Sequence, residues 1–232
     1  MAFDFDPKRY ARLAGVLYLA IILLGMFGEL YVRGSLVVPG NAAATLSNIS
    51  ASPGLWRAGI VGDLLMQVGD VPVIVIFYLL LRHVHLGLAL FSMLINLVQT
   101  AVLVANKLNL LVPLFLIEGA GGDLGAFSME QRAALSQLAI KAHGYGFGIG
   151  LIFFGFACLA QGWLIYRSGF LPRVLGVLLA VAGVSYLLNS LALLFAPALA
   201  GAMFVLLPAF VGELSLALWL TFHGVNTERF KP

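Results

Sequence analysis

Six stretches of this chain are each apolar over about 20 residues or more, the length that carries an α-helix across the hydrocarbon of a bilayer. They occupy residues 10–32, 53–81, 86–113, 143–166, 172–194 and 200–222. The rest of the sequence leaves little room for another solution. Hydrophobic residues make up 62% of the chain and charged ones 10%, and the mean hydropathy is +1.04. A soluble domain carries about 25% charged residues, so no water-soluble surface can be built from this supply. The expected fold is all-α: a polytopic membrane protein, with one six-transmembrane-helix bundle over residues 1–232. The third run is the least regular, because Asn96, Gln99, Asn106 and Asn109 interrupt it. A short re-entrant piece there is compatible with the pattern.

Charge sets the orientation. Lys and Arg are enriched in cytoplasmic segments of membrane proteins. With the N-terminus inside, the inner segments hold Lys8, Arg9, Arg12, Arg82, Arg167, Arg173, Arg229 and Lys231. The outer side holds Arg33, Arg57, Lys107, Arg132 and Lys141. Eight against five, with shorter inner segments, places both termini in the cytoplasm of a cell whose inner membrane holds the protein. The net charge of +3 does not point to nucleic acid, because the basic residues are scattered and gather at the ends of apolar runs. The opening MAFDFDPKRY shows no cleavable signal pattern. The lone Cys158 excludes an intrachain disulfide.

Local signals mark where helices begin. Ser52-Pro53 reads as a cap followed by proline at the first helical position, and Pro172 is expected to open the fifth span in the same way. Asn41 is expected to cap a short helix from Ala42 onward. A polar, glycine-rich loop covers 119–125. Ser128 and Gln131 form a capping box. It opens an outer amphipathic helix over 129–142 that is expected to run without a break into the fourth span.

The residues that carry chemistry are the polar ones at membrane depth. Ionisable groups there are costly and by default mark function. Asp63, Gln67 and Asp70 follow one another at i, i+4, i+7, within about 40° on one helical stripe. The two acids are roughly 10.5 Å apart along the axis. Pro72 follows Asp70 at once, and Pro208 and Gly212 precede Glu213 in the sixth run, so each acid sits beside an expected bend. Gln99 and Asn106 share a stripe in the third run. Glu29 and Arg33 form an i, i+4 pair in the favourable order. The expectation is a polar cavity open to the outer side. Asp63, Gln67, Asp70, Gln99 and Glu213 would form its binding or ion pathway. Glu29, Arg33, Arg57 and His143 would lie at its mouth. Each has a plainer reading beside it. Asn and Gln serve as interhelical glue, and Glu29 with Arg33 makes a structural ion pair.

Other signals are weaker. In His143-Gly144-Tyr145-Gly146-Phe147-Gly148-Ile149-Gly150, the pairs Gly144–Gly148 and Gly146–Gly150 are spaced for close helix packing, including packing against a second copy of the chain. His83 and His85 supply too few ligands for zinc. Asp63, Asp70, His143 and Glu213 are the residue types a metal would use if they converged. No pattern names a cofactor.

The run Arg167-Ser168-Gly169-Phe170-Leu171-Pro172-Arg173-Val174-Leu175-Gly176, with Arg12-Leu13-Ala14-Gly15, Phe153-Phe154-Gly155 and Gly212-Glu213-Leu214, resembles a prokaryotic membrane family, domain of unknown function 4386. The resemblance covers nearly the whole chain. It implies a multi-span inner-membrane protein of bacteria or archaea, and carries over no catalytic residue.

Three functions stand as expectations. The first is binding or conduction of a small solute, cation or proton through the mid-depth acids. The second is an intramembrane enzyme acting on a lipid or another membrane-borne substrate. In it, His143 with Asp63 or Asp70 supplies acid–base chemistry, with or without a metal. The third is a structural or regulatory subunit, with the acids as glue.

Overall fold

A computed structural model describes residues 6–119, 122, 124–197 and 203–230. The expected start of the sixth span at Ala200, residues 120, 121 and 123 of the glycine loop, and Lys231 lie outside the described residues. Every regular element among the described residues is helical. In chain order these are α1 (Pro7–Met26), a π-helical segment (Phe27–Arg33), α2 (Gly34–Leu36), α3 (Ala42–Ala51), α4 (Pro53–Leu81), α5 (Leu86–Asn106), α6 (Leu108–Glu118), α7 (Met129–Ser168), α8 (Arg173–Phe195) and α9 (Met203–Phe222). Among the described residues, five helical stretches are long and apolar enough to cross a membrane: Pro7–Leu36, Pro53–Leu81, Leu86–Glu118, Met129–Ser168 and Arg173–Phe195. In α9 the apolar stretch Leu206–Phe222 is shorter.

Side-chain caps explain the starts of α3 and α7. Asn41 Oδ1 accepts from the Ala44 N–H at 2.9 Å and opens α3. Ser128 and Gln131 exchange two hydrogen bonds, of 2.8 and 3.2 Å, at the head of α7. That helix then runs unbroken for 40 residues. Three expectations need correcting. The first span continues past Val32, through the π segment, to Leu36. The third does not stop at Pro113, which lies inside α6. It tightens at Lys107, where the Lys107 N–H bonds to Val104 O and the Leu110 N–H to Lys107 O, three residues apart in each case. Pro172 is the cap preceding α8, not its first helical residue. Pro72 and Pro208 both lie inside their helices, and neither ends one.

The chain forms two compact units that cut across helix order. Unit one is Met1–Ile21, Val68–Ala101 and Gly148–Pro232; unit two is Ile22–Gln67 and Val102–Phe147. In unit two, Val32, Leu36, Ile49, Trp56, Ile60, Leu110 and Leu114 pack into one buried cluster. The Trp56 indole N–H donates to Leu110 O at 2.7 Å, so the largest side chain there leaves no polar atom unpaired. Unit one is held by glycines. Gly155 and Gly162 of α7 face Gly183 and Gly176 of α8. A Cβ on Gly162 would stand 2.7 Å from Gly176 O, so the two backbones touch directly. Gly212 of α9 meets Leu178 of α8 in the same way.

Two glycines of the 143–150 run make room for neighbours within the chain. Gly146 gives room to the Asn106 side chain, and Gly148 to Leu193. A Cβ at Gly144 would meet nothing within 4 Å.

Candidate functional site

Unit two contains a closed set of charges. Asp63, on α4, is only 1% exposed. Its Oδ2 accepts from Arg33 Nη1 at 2.8 Å and from Lys107 Nζ at 2.9 Å, and its Oδ1 accepts from Arg33 Nη2 at 3.3 Å. Arg33 also donates through Nε to Glu29 at 2.6 Å. Two acids therefore meet two cations. Burying a carboxylate costs several kcal/mol unless a partner and further hydrogen bonds compensate it, and here both are present.

The local chain explains how these groups meet. The π segment carries Glu29 and Arg33, and its wide turn is marked by the Gly34 N–H bonding to Glu29 O, five residues back. The tightened step at Lys107 lets the ammonium reach Asp63. Gly28 is required beside them, because a Cβ there would collide with the Asp63 carboxylate. Asn106, next to Lys107, donates from Nδ2 to His143 O at 2.8 Å and lies 3.1 Å from His143 Nδ1. His143 is thus a buried, bonded side chain. Arg57, also expected at a cavity mouth, forms an exposed ion pair with Glu118.

Unit one treats its acids differently. Glu213, on α9, receives the Tyr18 hydroxyl of α1 on Oε2 at 3.0 Å and the Tyr186 hydroxyl of α8 on Oε1. Asp70, on α4, accepts from Thr100 of α5 at 2.7 Å. Thr100 also lies 3.4 Å from Gln99 Oε1. Among the described residues, neither Asp70 nor Glu213 has a Lys, Arg or His within ion-pairing distance. Both keep partial accessibility, unlike Asp63.

Two buried acceptors complete the picture. Gln67 Oε1 in unit two and Asn96 Oδ1 in unit one have no hydrogen-bond partner among the described residues. Asn96 precedes Thr100 by one helical turn, and its backbone carbonyl lies 3.1 Å from that hydroxyl oxygen. Also among the described residues, no three of His, Cys, Asp and Glu come together in a group able to hold a metal ion.

The sequence pointed to the acids and missed their partners. Tyr18 and Tyr186 stand inside apolar runs with no charged neighbour in sequence to mark them. The usable signal was a phenol deep in a span, where a buried hydroxyl has to find an acceptor. Lys107 read as an outer edge charge.

The sequence model of the family described as domain of unknown function (DUF4386) matches residues 13–224. The chain belongs to this family. The match takes in Tyr18, Asp63, Asp70, Thr100, Lys107, Tyr186 and Glu213, so every group just described lies within the family's own extent. An uncharacterised protein of the archaeon Archaeoglobus fulgidus is 30% identical over 165 residues, covering 71% of this chain and 83% of its own. No solved structure matches.

Proposed function

We propose that this member of the family is a six-span inner-membrane protein with both termini cytoplasmic. It binds and passes protons through the acids of unit one, Glu213 and Asp70. The orientation rests on the distribution of Lys and Arg. The function rests on one observation: among the described residues these two acids have no cationic side chain, while Asp63 has two.

A carboxylate at membrane depth has to be neutralised. Asp63 is neutralised permanently by residues of its own unit. Glu213 and Asp70 are neutralised by something that arrives and leaves, a proton or a small cation. The phenols of Tyr18 and Tyr186 donate to the two oxygens of an ionised Glu213. Once the acid is protonated, its own O–H donates to one phenol oxygen, whose hydroxyl proton turns away, while the other phenol still donates, so the acid keeps two hydrogen bonds in each state. Asn96 Oδ1 offers a further acceptor one turn from the Asp70–Thr100 pair. Asp63, Glu29 and Arg33 are assigned to structure, since their charges already satisfy each other.

Vesicles holding the purified protein and a pH-sensitive dye test this reading. An imposed pH gradient should collapse faster than in empty vesicles. Glu213→Gln and Asp70→Asn should each remove the difference without unfolding the protein. A gradient that both folded variants dissipate at the parental rate rejects the proposal. Dissipation that depends on added Na⁺ or K⁺ reassigns the same acids to a cation.

A further inference from the structure

A second polar feature of unit one lies apart from the acids. A recess of about 520 Å³ is lined by Lys8, Trp219, His223, Asn226, Glu228 and Arg229, together with the turn 169–172 between α7 and α8. The sequence builds it from four helix ends, one of them the C-terminus of α7 at Ser168. Pro7–Met26 starts beside Lys8, and α8 starts just after Pro172. Helix α9 ends at Phe222, and the chain then turns at Gly224 with φ +70. The tail after that turn is fixed. The Asn226 N–H bonds to Phe170 O at 3.0 Å, and Asn226 Oδ1 accepts the backbone N–H groups of Glu228 and Arg229. The Lys8 stem passes Gly224, where a Cβ would come 3.1 Å from Lys8 Cγ.

The charge of the recess is one-sided. Lys8 and Arg229 bring two cations against the single acid Glu228. The N-terminus of α8 adds partial positive charge, which favours anions; that of α1 is already capped by Asp6, whose Oδ1 accepts the Lys8 and Arg9 N–H groups at 3.0 and 3.1 Å. The opposing C-terminus of α9 is covered: Arg12 Nη2 donates to Phe222 O at 3.4 Å, and the Gly224 N–H returns to Leu220 O at 3.0 Å. Among the described residues no ion pair engages Lys8 or Arg229. The Trp219 and His223 rings stack at 4.3 Å, nearly parallel, as one wall. Tryptophan is enriched at the level of lipid headgroups, and basic pockets at helix ends hold anionic headgroups.

We propose that this recess binds the phosphate group of an anionic phospholipid, with Lys8 and Arg229 as its charge partners and the Trp219–His223 stack as its wall. None of these residues belongs to the proton pathway, so this inference stands or falls independently of it.

The test uses the full chain in phosphatidylcholine vesicles, with trace spin-labelled phosphatidylglycerol or phosphatidylcholine reporting which lipid is held at the protein. Phosphatidylglycerol should be preferred. Lys8→Gln and Arg229→Gln should each weaken that preference about fivefold, the effect of one basic residue near a membrane surface. Arg9→Gln removes the same charge from an exposed neighbour outside the recess and should leave the preference in place. The swap Lys8→Arg with Arg229→Lys keeps both charges and should retain it. Inorganic phosphate is the competing arm. Displacement of the label by phosphate alone supports phosphate recognition and assigns it to the free ion; no displacement assigns it to the lipid. Equal retention of both labels in the parent, or the same loss in Arg9→Gln, overturns the proposal.

Discussion

Asp63 and Asp70 stand seven residues apart on one helix, yet they belong to different compact units and to different chemistries. Unit two surrounds its acid with a guanidinium and an ammonium and leaves it 1% exposed. Unit one leaves Asp70 to a threonine and Glu213 to two tyrosines. Neutral donors orient a carboxylate without cancelling its charge. An acid with a fixed cation is a fastener, and an acid without one is available for exchange. Depth in an apolar run therefore says less about function than what meets the carboxylate.

Breaking the closed set should do the most damage. Asp63→Ala leaves the buried Lys107 without an acid and Arg33 with Glu29 alone, and should cost about 3–5 kcal/mol, read as a large fall in melting temperature or loss of folded protein from the membrane. Gly28→Ala attacks the same set sterically. Pushing the Asp63 carboxylate aside should cost about 1–3 kcal/mol, checked by the same melt. Because Gly28 and Asp63 touch, their double variant should lose less than the sum of the two. A full sum would mean that the contact plays no part.

Unit one should respond in activity more than in stability. Tyr18→Phe and Tyr186→Phe each remove one donor from Glu213 and should cost about 1 kcal/mol, with slower proton flux in vesicles. Glu213→Gln keeps an acceptor for one phenol and a donor for the other. Its stability should stay within about 1 kcal/mol of the parent while flux disappears. A collapse in stability would place Glu213 among the fasteners and erase the contrast between the units.

The smallest effect concerns His83, in the turn after α4. Partial burial, and secondarily Arg82, hold its imidazole below the ordinary value of 6.5. The folded state thus disfavours its proton. Its contribution to stability is present above that value and declines as pH falls. A melt series with His83→Gln should flatten that slight acid loss. The pH profile of flux should not move, because His83 is not part of the proposed pathway.

Much of the fold was legible because lipid imposes one strong rule. Apolar length gave five helices long enough to cross a membrane, and the capping box at Ser128 and Gln131 gave the start of a 40-residue helix. Boundaries failed where a helix changes its winding. Nothing in Phe27–Arg33 signals a π turn, and the polar residues near Lys107 suggested interruption where the helix tightens and continues. The candidate acids were legible from the cost of charge in lipid. Their partners were not, because Arg33 to Asp63 and Tyr18 to Glu213 are pairings between helices, and one helix's period cannot reveal its neighbour's. The glycine pairs across α7 and α8 escaped for the same reason. Gly155 with Gly162 and Gly176 with Gly183 each repeat at seven residues, but neither pair has meaning until the other faces it.

The π segment carries a further consequence. A regular α-helix advances about 100° per residue, and a π turn absorbs residues that this pitch has no place for. Deleting any single codon between Gly28 and Arg33 would let the segment rewind toward ordinary pitch while keeping it apolar and helical. The flanking helices would keep nearly their present register, because the residue removed is the one the π turn had absorbed, but the side chains inside the segment would shift around the axis. Glu29 and Arg33 would then no longer keep their present faces. At this point the chain is constrained in length as much as in composition, and an in-frame deletion should be tolerated less well than most substitutions around it.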